Sequence, residues 1–521
     1  MAAGGDVAPA EDAARIGHTG VLVLLAALGV ASNSFFATTG VTLARSATEL
    51  GFTGTGLALV AGTSTFVGGI TVFAAGEVGD RWGLRRSLIL GVTLIALAGL
   101  ICGLPTGATA FVVGQALSGV AGALLATAGT GMLRRLWVGR ALGVATGRWM
   151  AIGATLGSAM TLAGLGLATV TSFRAAFLTS AVACALIGLA AVRWLPRVER
   201  AVEAEGGIDF AGVALAAVAM GGLLLGLASI SGNNDPVAMI AGFGVALGAG
   251  GGLVVVERGR TNPAVPIRLL GRPVFLAATT VGVVTGLGSA TLILQLSNVM
   301  QFLYGYSEIG ASLALIPYDA ALVIFAVVAG ALLAGSLLGR GARPESLFVI
   351  GLLALAGACV LVTAIEPAGS FALFVGAGGL GGFGLAISRT PQTAVMLSVA
   401  PAEMAASVSA FKAAAARFGS SLGAAIVVPI VSDAAGSDAH VFVRAAEGSV
   451  SSADPVYSAY HSFLTTRALP GGEAGQELVT RIDRYLDGVA LAMGIVGGLL
   501  VLAAVAIWIV AARARRRAPV N

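Results

Sequence analysis

The chain has few charged residues and almost no lysine. Charged residues account for 11% of its 521 residues, and Lys412 is the single lysine. A soluble domain of this size needs a charged surface, but this chain is 57% hydrophobic and has a mean hydropathy of +0.95. The composition excludes a water-soluble protein and predicts an all-α polytopic membrane protein.

Cysteine and histidine are also scarce, and their positions exclude several kinds of site. The cysteines all lie inside apolar runs, where they are typical of small core residues: Cys102, Cys184 and Cys359. The histidines are scattered over the N-terminus and a late polar segment, so we expect no metal site: His18, His440 and His461. The sequence contains no glycine-rich phosphate loop with a lysine. We therefore expect neither an enzyme nor a cofactor.

Apolar runs of about 20 residues, the length that crosses a bilayer as a helix, recur along the whole chain. They predict fourteen spans at 19–44, 54–75, 87–105, 109–133, 140–166, 173–195, 209–230, 236–256, 274–303, 309–338, 346–365, 370–396, 405–432 and 486–511. The polar residues 433–485 predict a solvated loop, with a substrate-gating cap as the alternative.

Arginine marks alternate loops between these spans. It occurs at 81–86, 134–140, 193–200, 258–272 and 340–343, and again at 513–517. By the positive-inside rule these segments face the cytoplasm, and an even number of spans puts both termini there. We expect a multi-pass protein of the bacterial plasma membrane. Because the arginines gather at helix ends, the net charge of +5 does not indicate a nucleic-acid partner.

One short charged segment, GEVGDRWGLRR at 76–86, separates two long apolar runs. Its glycines allow two backbones to approach closely, and its aspartate can cap a helix N-terminus. An ordinary basic loop is the alternative. The segment resembles the signature loop between the second and third helices of the major facilitator superfamily, where it would form a cytoplasmic gate. The matching positions are Gly76, Asp80, Arg81, Gly83, Arg85 and Arg86.

The resemblance covers most of the chain and implies a major facilitator fold. Fourteen spans exceed the usual twelve by one pair, as in the fourteen-helix drug:proton antiporter branch. The implied architecture is two six-helix bundles plus two inserted helices, with 14 transmembrane helices in all. Its parts are a cytoplasmic N-terminus at 1–18, an N-terminal bundle at 19–195, an inserted pair at 209–256, a cytoplasmic connector at 257–273, a C-terminal bundle at 274–511 with an extracytoplasmic loop at 433–485, and a basic cytoplasmic tail at 512–521.

Three positions depart from the pattern of that branch. Asn33 stands where the first helix usually carries an aspartate, and Gln115 where the fourth usually carries an arginine. Ser158 replaces the proline that bends the fifth helix. The resemblance therefore supports the fold more directly than it supports proton antiport.

Three charged residues inside predicted spans are candidates for proton coupling: Asp319, Arg148 and Lys412. A charge in lipid is costly unless it faces a cavity or a partner. We expect Asp319 near mid-bilayer, as the principal proton carrier, with Arg148 or Lys412 across the cavity. The alternatives are a helix-packing hydrogen bond for the acid, and snorkelling or a structural ion pair for the cations. Arg389 lies late in its span and is expected at the interface.

Amides and aromatic rings form the predicted substrate cavity, because several lie on helices that line the cavity in the family. The candidates are Asn33, Phe35, Phe36, Gln115, Trp149, Gln295, Asn298 and Gln301. Such a lining suits a large amphipathic ligand. For each amide the alternative is a hydrogen bond that merely joins two helices.

These features predict a secondary active transporter that exports amphipathic small molecules (a drug, a metabolite or a lipid-like compound), with protons as the coupling ion. Two alternatives stay open: a lipid-handling or cell-envelope assembly transporter that acts with a partner protein, and an uncoupled facilitator. We expect membrane lipids around a monomer.

Overall fold

The computed structural model describes thirteen stretches of the chain. They are residues 17–50, 55–104, 107–170, 172–197, 209–231, 235–258, 267–306, 308–335, 342–366, 371–400, 404–435, 455–466 and 471–517. Most of the predicted N-terminus at 1–18, and parts of the segments 257–273 and 433–485, lie outside these stretches.

The described residues form helices and no strand. They are α1 (Gly17–Leu50), α2 (Thr55–Trp82), α3 (Leu84–Gly103), α4 (Ala108–Leu136), α5 (Arg140–Val170), α6 (Phe173–Trp194), α7 (Phe210–Ser231), α8 (Pro236–Arg258), η1 (Ile267–Gly271), α9 (Pro273–Phe302), α10 (Glu308–Ala314), α11 (Ile316–Ala334), α12 (Pro344–Thr363), α13 (Phe371–Val399), α14 (Ala405–Ala435), α15 (Pro455–Thr466) and α16 (Glu473–Arg517).

Among the described residues, eleven helices are long and apolar enough to cross a membrane, with most of α10 and all of α11 counted as one. Helices α1, α2 and α5 are also long enough, at 34, 28 and 31 residues. The long helices match the predicted spans in order and position. The all-α polytopic fold is confirmed.

The helices pack around two main cores. Helices α1 and α3 to α6 enclose the first core, which includes Phe111 and Phe177, and α2 packs against α4. Helices α9 to α14 and α16 enclose the second, which includes Phe348 and Phe374. Helices α7 and α8 pack on each other, and α7 also contacts α2 and α14. The two bundles meet where α2 faces α14 and where α5 faces α11.

The tenth predicted span is broken in the structure. Helix α10 ends at Ala314 and α11 begins at Ile316, with Pro317 in its first turn. Proline has no backbone N–H to donate and is accommodated best in the first turn of a helix, which is where Pro317 lies as the chain restarts. Asp319 therefore lies in the first turn of a new helix.

The late polar segment is more helical than the sequence predicts. Helix α14 continues to Ala435, and α16 begins at Glu473 and runs for 45 residues. At about 1.5 Å per residue α16 is about 67 Å long, roughly twice the thickness of the hydrocarbon layer. Its polar first turns are joined to the bundle through α15, where the Tyr460 hydroxyl donates to the Phe302 carbonyl at 2.6 Å.

Candidate functional site

The two bundles contact each other most closely at the arginine-rich end, which is the end of the helices that carries residues 76–86 and 134–140. Asp80, in the last turn of α2, accepts hydrogen bonds from the backbone N–H groups of Ala406 and Ser407 at 2.9 and 2.8 Å. The Ser407 hydroxyl donates to the same carboxylate at 2.7 Å. Asp80 thus caps the N-terminus of α14, a helix of the opposite bundle, and its negative charge complements the helix dipole.

Glycine makes this approach of α2 to α14 feasible. A Cβ atom added at Gly76 would lie 2.8 Å from the Cβ of Ala410 and 3.1 Å from the Ala406 carbonyl oxygen. A Cβ at Gly79 would lie 2.9 Å from the Cβ of Ala406. Gly83, which joins α2 to α3, has φ of 100°, a value that L side chains rarely adopt. The glycines of the signature segment are therefore required by packing and by the turn.

The arginines of the segment act on other helices. Arg85 donates to the carbonyls of Leu195 and Val192 at the C-terminus of α6, at 2.9 and 2.6 Å. Arg81 forms an ion pair with Glu77 on its own helix, while Arg86 is exposed. A second bond links the bundles at this end, because Arg134 of α4 donates to the Leu397 carbonyl of α13 at 2.7 Å. The contacts of Asp80 and Arg134 thus join the two bundles at this end of the molecule.

Farther into the membrane the bundles meet through side chains. The Nζ atom of Lys412 lies 5.9 Å from the centroid of the Trp149 ring, a cation–π contact between α14 and α5. Lys412 also donates to the Thr393 hydroxyl at 3.4 Å, and the Thr390 hydroxyl lies 3.3 Å from the sulfur of Met150. Two of the predicted residues, Lys412 and Trp149, are thus brought together.

Asp319 lies on α11, where that helix packs against α5 of the other bundle. Its carboxylate is half-buried and faces the side chain of Ser158 on α5, whose hydroxyl donates to the Ala154 carbonyl of its own helix at 3.0 Å. It is fifteen residues from the end of α11, or about 22 Å at 1.5 Å per residue. Asp319 therefore lies well inside the apolar span from the arginine-rich end, and its mid-bilayer position stays a prediction. Among the described residues, neither Arg148 nor Lys412 forms an ion pair with it.

Arg148 and Arg389 occupy positions that differ from the sequence expectations. Arg148 is exposed because the neighbouring Gly147 packs against α11, where an added Cβ would lie 2.4 Å from the Ala326 carbonyl oxygen. Arg389 was expected at the interface but lies deep in the protein, near Tyr318 and Lys412. Ten residues, or about 15 Å of helix, separate it from the end of α13.

One buried cation escaped the sequence analysis. Arg417 donates from Nη1 to the Thr65 carbonyl of α2 at 3.1 Å. A Cβ at Gly68 would meet both guanidinium nitrogens of Arg417 at 3.0 and 3.1 Å, so this glycine leaves the space that the guanidinium fills. The signal was present in the sequence, since an arginine inside an apolar run follows the same rule that marks Lys412.

The predicted cavity residues are dispersed. Gln115 is fully buried and donates to the Thr39 hydroxyl at 3.0 Å, which joins α4 to α1. Phe35 is buried against Phe177, with ring centroids 5.2 Å apart. The side chains of Asn33 and Phe36 lie outside the described residues. For Gln115 and Phe35 these contacts fit the helix-joining alternative, and their part in a substrate cavity stays a prediction.

The three amides of α9 lie near the end of that helix remote from the arginine-rich end. Gln295 is buried, and its Oε1 atom has no hydrogen-bond donor among the described residues. Asn298 is half-buried, and Gln301 donates to the Ser297 hydroxyl at 3.0 Å within the helix. They are about 33 Å or more along α9 from its first residue, so they are far from Lys412.

Comparison with known proteins identifies the fold and the family together. The sequence pattern of the Major Facilitator Superfamily matches residues 21–424, which is most of the chain and includes the 76–86 segment. The chain belongs to the major facilitator superfamily. Members of this family are membrane transporters, so the protein is a multi-pass transporter.

Several relatives in the superfamily are named for resistance and export. The tetracenomycin C resistance and export protein of Streptomyces glaucescens is 27% identical over 465 residues, covering 86% of this chain and 84% of the relative. The puromycin resistance protein pur8 of Streptomyces alboniger is 29% identical, with 61% and 62% covered. The multidrug resistance protein Stp of Mycobacterium tuberculosis is 26% identical, with 69% and 65% covered.

Solved structures of the superfamily share the fold. The human organic anion transporter MFSD10 superposes with a TM-score of 0.61 at 13% identity, covering 94% of this chain and 98% of that one. The proton:xylose symporter XylE superposes with a TM-score of 0.60 at 17% identity, with 94% of each chain covered. At these identities the likeness concerns the fold alone.

Proposed function

We propose that the protein exports amphipathic small molecules across the plasma membrane of a bacterium by proton antiport. The relatives support export, since they are named for resistance to, or export of, tetracenomycin C and puromycin. The arginine-rich end is the cytoplasmic end in this proposal. Closure of that end by Asp80 and Arg134 then belongs to the state in which substrate leaves on the opposite side.

The observation that carries the proposal is the position of Asp319. This carboxylate lies within the apolar span, where α11 packs against α5 of the other bundle, and it faces the Ser158 hydroxyl of α5. An ionised carboxylate accepts a hydrogen bond from the hydroxyl, whereas a protonated one can also donate. Loading and release of a proton therefore change the contact between the two bundles, which is the coupling that antiport requires.

The replacement Asp319→Asn tests this role, because asparagine keeps the size and hydrogen-bonding capacity but cannot carry a proton. Purified protein in liposomes with an imposed pH gradient is given a panel of amphipathic drugs. We expect wild-type protein to concentrate at least one drug, and Asp319→Asn to bind it without concentrating it. The control is Glu366→Gln, which removes an exposed acid from the same half of the chain.

The alternatives give different results in the same experiment. Flux that runs down the drug gradient and ignores the pH gradient indicates an uncoupled facilitator. Flux that requires an added membrane extract indicates a transporter that acts with an envelope partner. If Asp319→Asn concentrates the drug at nearly the wild-type rate, Asp319 is structural and the coupling assignment is wrong.

A further inference from the structure

Two cations share a small volume inside the C-terminal bundle. Lys412 of α14 donates to the Thr393 hydroxyl of α13 at 3.4 Å, and Thr393 lies one helical turn from Arg389, whose carbonyl its hydroxyl contacts at 3.0 Å. They are about 10 and 15 Å along their helices from the arginine-rich end, well inside the hydrocarbon depth. No carboxylate among the described residues forms an ion pair with either of them.

Both side chains keep part of their surface accessible, because Lys412 and Arg389 are each half-buried. Lys412 also lies against the ring of Trp149, a residue of the opposite bundle. The ammonium therefore faces the junction between the two bundles, and a molecule that enters this junction can reach the positive charge.

The groups around these cations are mainly donors. The Trp149 ring lies against Lys412, and Tyr318 lies within electrostatic range of Arg389. Neither the indole N–H of Trp149 nor the hydroxyl of Tyr318 has a hydrogen-bond partner among the described residues. Buried donors without acceptors are costly. Thr393 supplies a single hydroxyl oxygen to Lys412, so among the described residues donors outnumber acceptors at this site and no carboxylate is paired with the cations.

The acid next to this site in the chain is not paired with the cations. Asp319 follows Tyr318, but its carboxylate faces Ser158 of α5, and among the described residues it forms no ion pair with Lys412 or Arg389. Two buried cations without a counter-ion are strongly disfavoured in lipid. Such a pair is retained where a ligand brings the missing charge, in the way that buried carboxylate ligands are recognised by lysine and arginine.

We propose that the exported molecule carries an acidic group, a carboxylate or an equally acidic oxygen, which binds between Lys412 and Arg389. The acid accepts hydrogen bonds from the ammonium and the guanidinium, and its apolar part lies against the face of Trp149. This inference rests on the proposed export function and specifies its substrate class: amphipathic organic anions in preference to neutral or cationic compounds.

Three probes that share a pyrene ring system and differ in charge test the preference for an acid. Full-length protein in nanodiscs is titrated with 1-pyrenebutanoate, its neutral amide and the cationic 1-pyrenebutylamine, and binding to empty nanodiscs is subtracted. We expect the acid to bind at least about tenfold more tightly than the amide or the amine. Lys412→Gln and Arg389→Gln should each weaken binding of the acid about tenfold and change binding of the amide less than about twofold.

Matched variants separate a charge effect from a folding defect. Arg389→Lys and Lys412→Arg keep the charge and should keep the preference for the acid. Arg343→Gln removes an exposed arginine at the start of α12 in the same bundle and should change nothing. The inference is overturned if the acid does not bind, if the amide or amine binds as tightly as the acid, or if Lys412→Gln weakens all three probes equally.

Failure here is distinguishable from failure of the export proposal. If liposomes with an imposed pH gradient concentrate neutral or cationic drugs while the acid shows no advantage, export stands and the substrate class is wrong. If no compound of any charge is moved by wild-type protein, the export proposal itself fails.

Discussion

The arginine-rich end and the membrane interior join the same two bundles by different means. At the arginine-rich end the contacts are made by backbone atoms and small residues, as at Gly76 against Ala410 and at Asp80 against the N–H groups of α14. In the interior they are made by long polar side chains, as at Lys412 against Trp149 and Asp319 against Ser158.

The difference indicates how the work of a transporter is divided. Contacts between backbones have little freedom to adjust, so they form completely in one state and are lost in another. Long side chains can change partners when a ligand or proton arrives. The first kind of contact suits a gate, and the second suits a binding and coupling site. Substitutions at the arginine-rich end should therefore change how firmly that end closes, whereas substitutions in the interior should change binding or transport.

The largest effect is expected from Gly76→Val. An added Cβ already lies 2.8 Å from the Cβ of Ala410, so a branched side chain must push α2 away from α14. Overpacking of this kind costs about 1–3 kcal/mol, equivalent to about fivefold to about 150-fold in the population of the closed gate. The measurement is the alkylation rate of Leu397→Cys, a position with 1% exposure beside the N-terminal core, in protein whose three native cysteines are replaced.

Gly244→Val is the matched control for this prediction. Gly244 lies in α8, and a Cβ there would meet nothing within 4 Å. The alkylation rate should match wild type in this variant. Equal alkylation in Gly76→Val and wild type would mean that the close approach of α2 to α14 does not hold the gate shut.

A smaller effect at the same gate is expected from Asp80→Ala. The substitution removes the cap of α14, and loss of a helix cap costs about 1 kcal/mol, or about fivefold in the closed population. Asp80→Asn keeps one acceptor oxygen and should fall between Ala and wild type. The same Leu397→Cys alkylation rate measures both.

Asp235→Ala provides the comparison for Asp80→Ala. Asp235 accepts from the N–H groups of Val237 and Ala238 at 2.9 and 3.2 Å, so it also caps a helix, but within the inserted pair. Alkylation should be unaffected there. If both variants raise it equally, the Asp80 effect comes from general loss of helix stability rather than from the gate.

The same contrast explains what the sequence could predict. The contacts at the arginine-rich end depend on local chemistry. They need glycine where two helices approach closely and aspartate where backbone N–H groups lack a partner, and both residue types occur at the expected spacing within residues 76–86. The fold could also be predicted from the sequence. The length of each apolar run and the presence of arginine in each loop can be read from single segments.

The contacts in the interior are harder to predict. A charged residue inside an apolar run is expected to lie within the membrane, but the run does not show which neighbouring side chains that residue contacts. Arg389 was expected at the interface, yet it lies deep beside Lys412. Arg148 was expected near Asp319 and is exposed, since Gly147 takes the face of α5 that packs on α11. Such outcomes depend on how helices from two bundles rotate about their axes, which no single segment specifies.

The smallest effect is expected from Ser158→Ala, which acts on the interior contact and leaves the gate unchanged. The hydroxyl donates to the Ala154 carbonyl of its own helix at 3.0 Å and also faces the Asp319 carboxylate across the bundle junction. Hydrogen bonds between membrane helices contribute about 0.6 kcal/mol on average, so we expect about a threefold loss of gradient-driven transport. Ser158→Thr keeps the hydroxyl and should recover most of the rate.

Ser229→Ala is the control, because that hydroxyl bonds only the Leu225 carbonyl of its own helix in the described contacts. Leu397→Cys alkylation should stay at the wild-type rate in all three variants. A Ser158→Ala protein with opened alkylation would show that the interior contact also holds the gate, and the division drawn between the two regions would then be wrong.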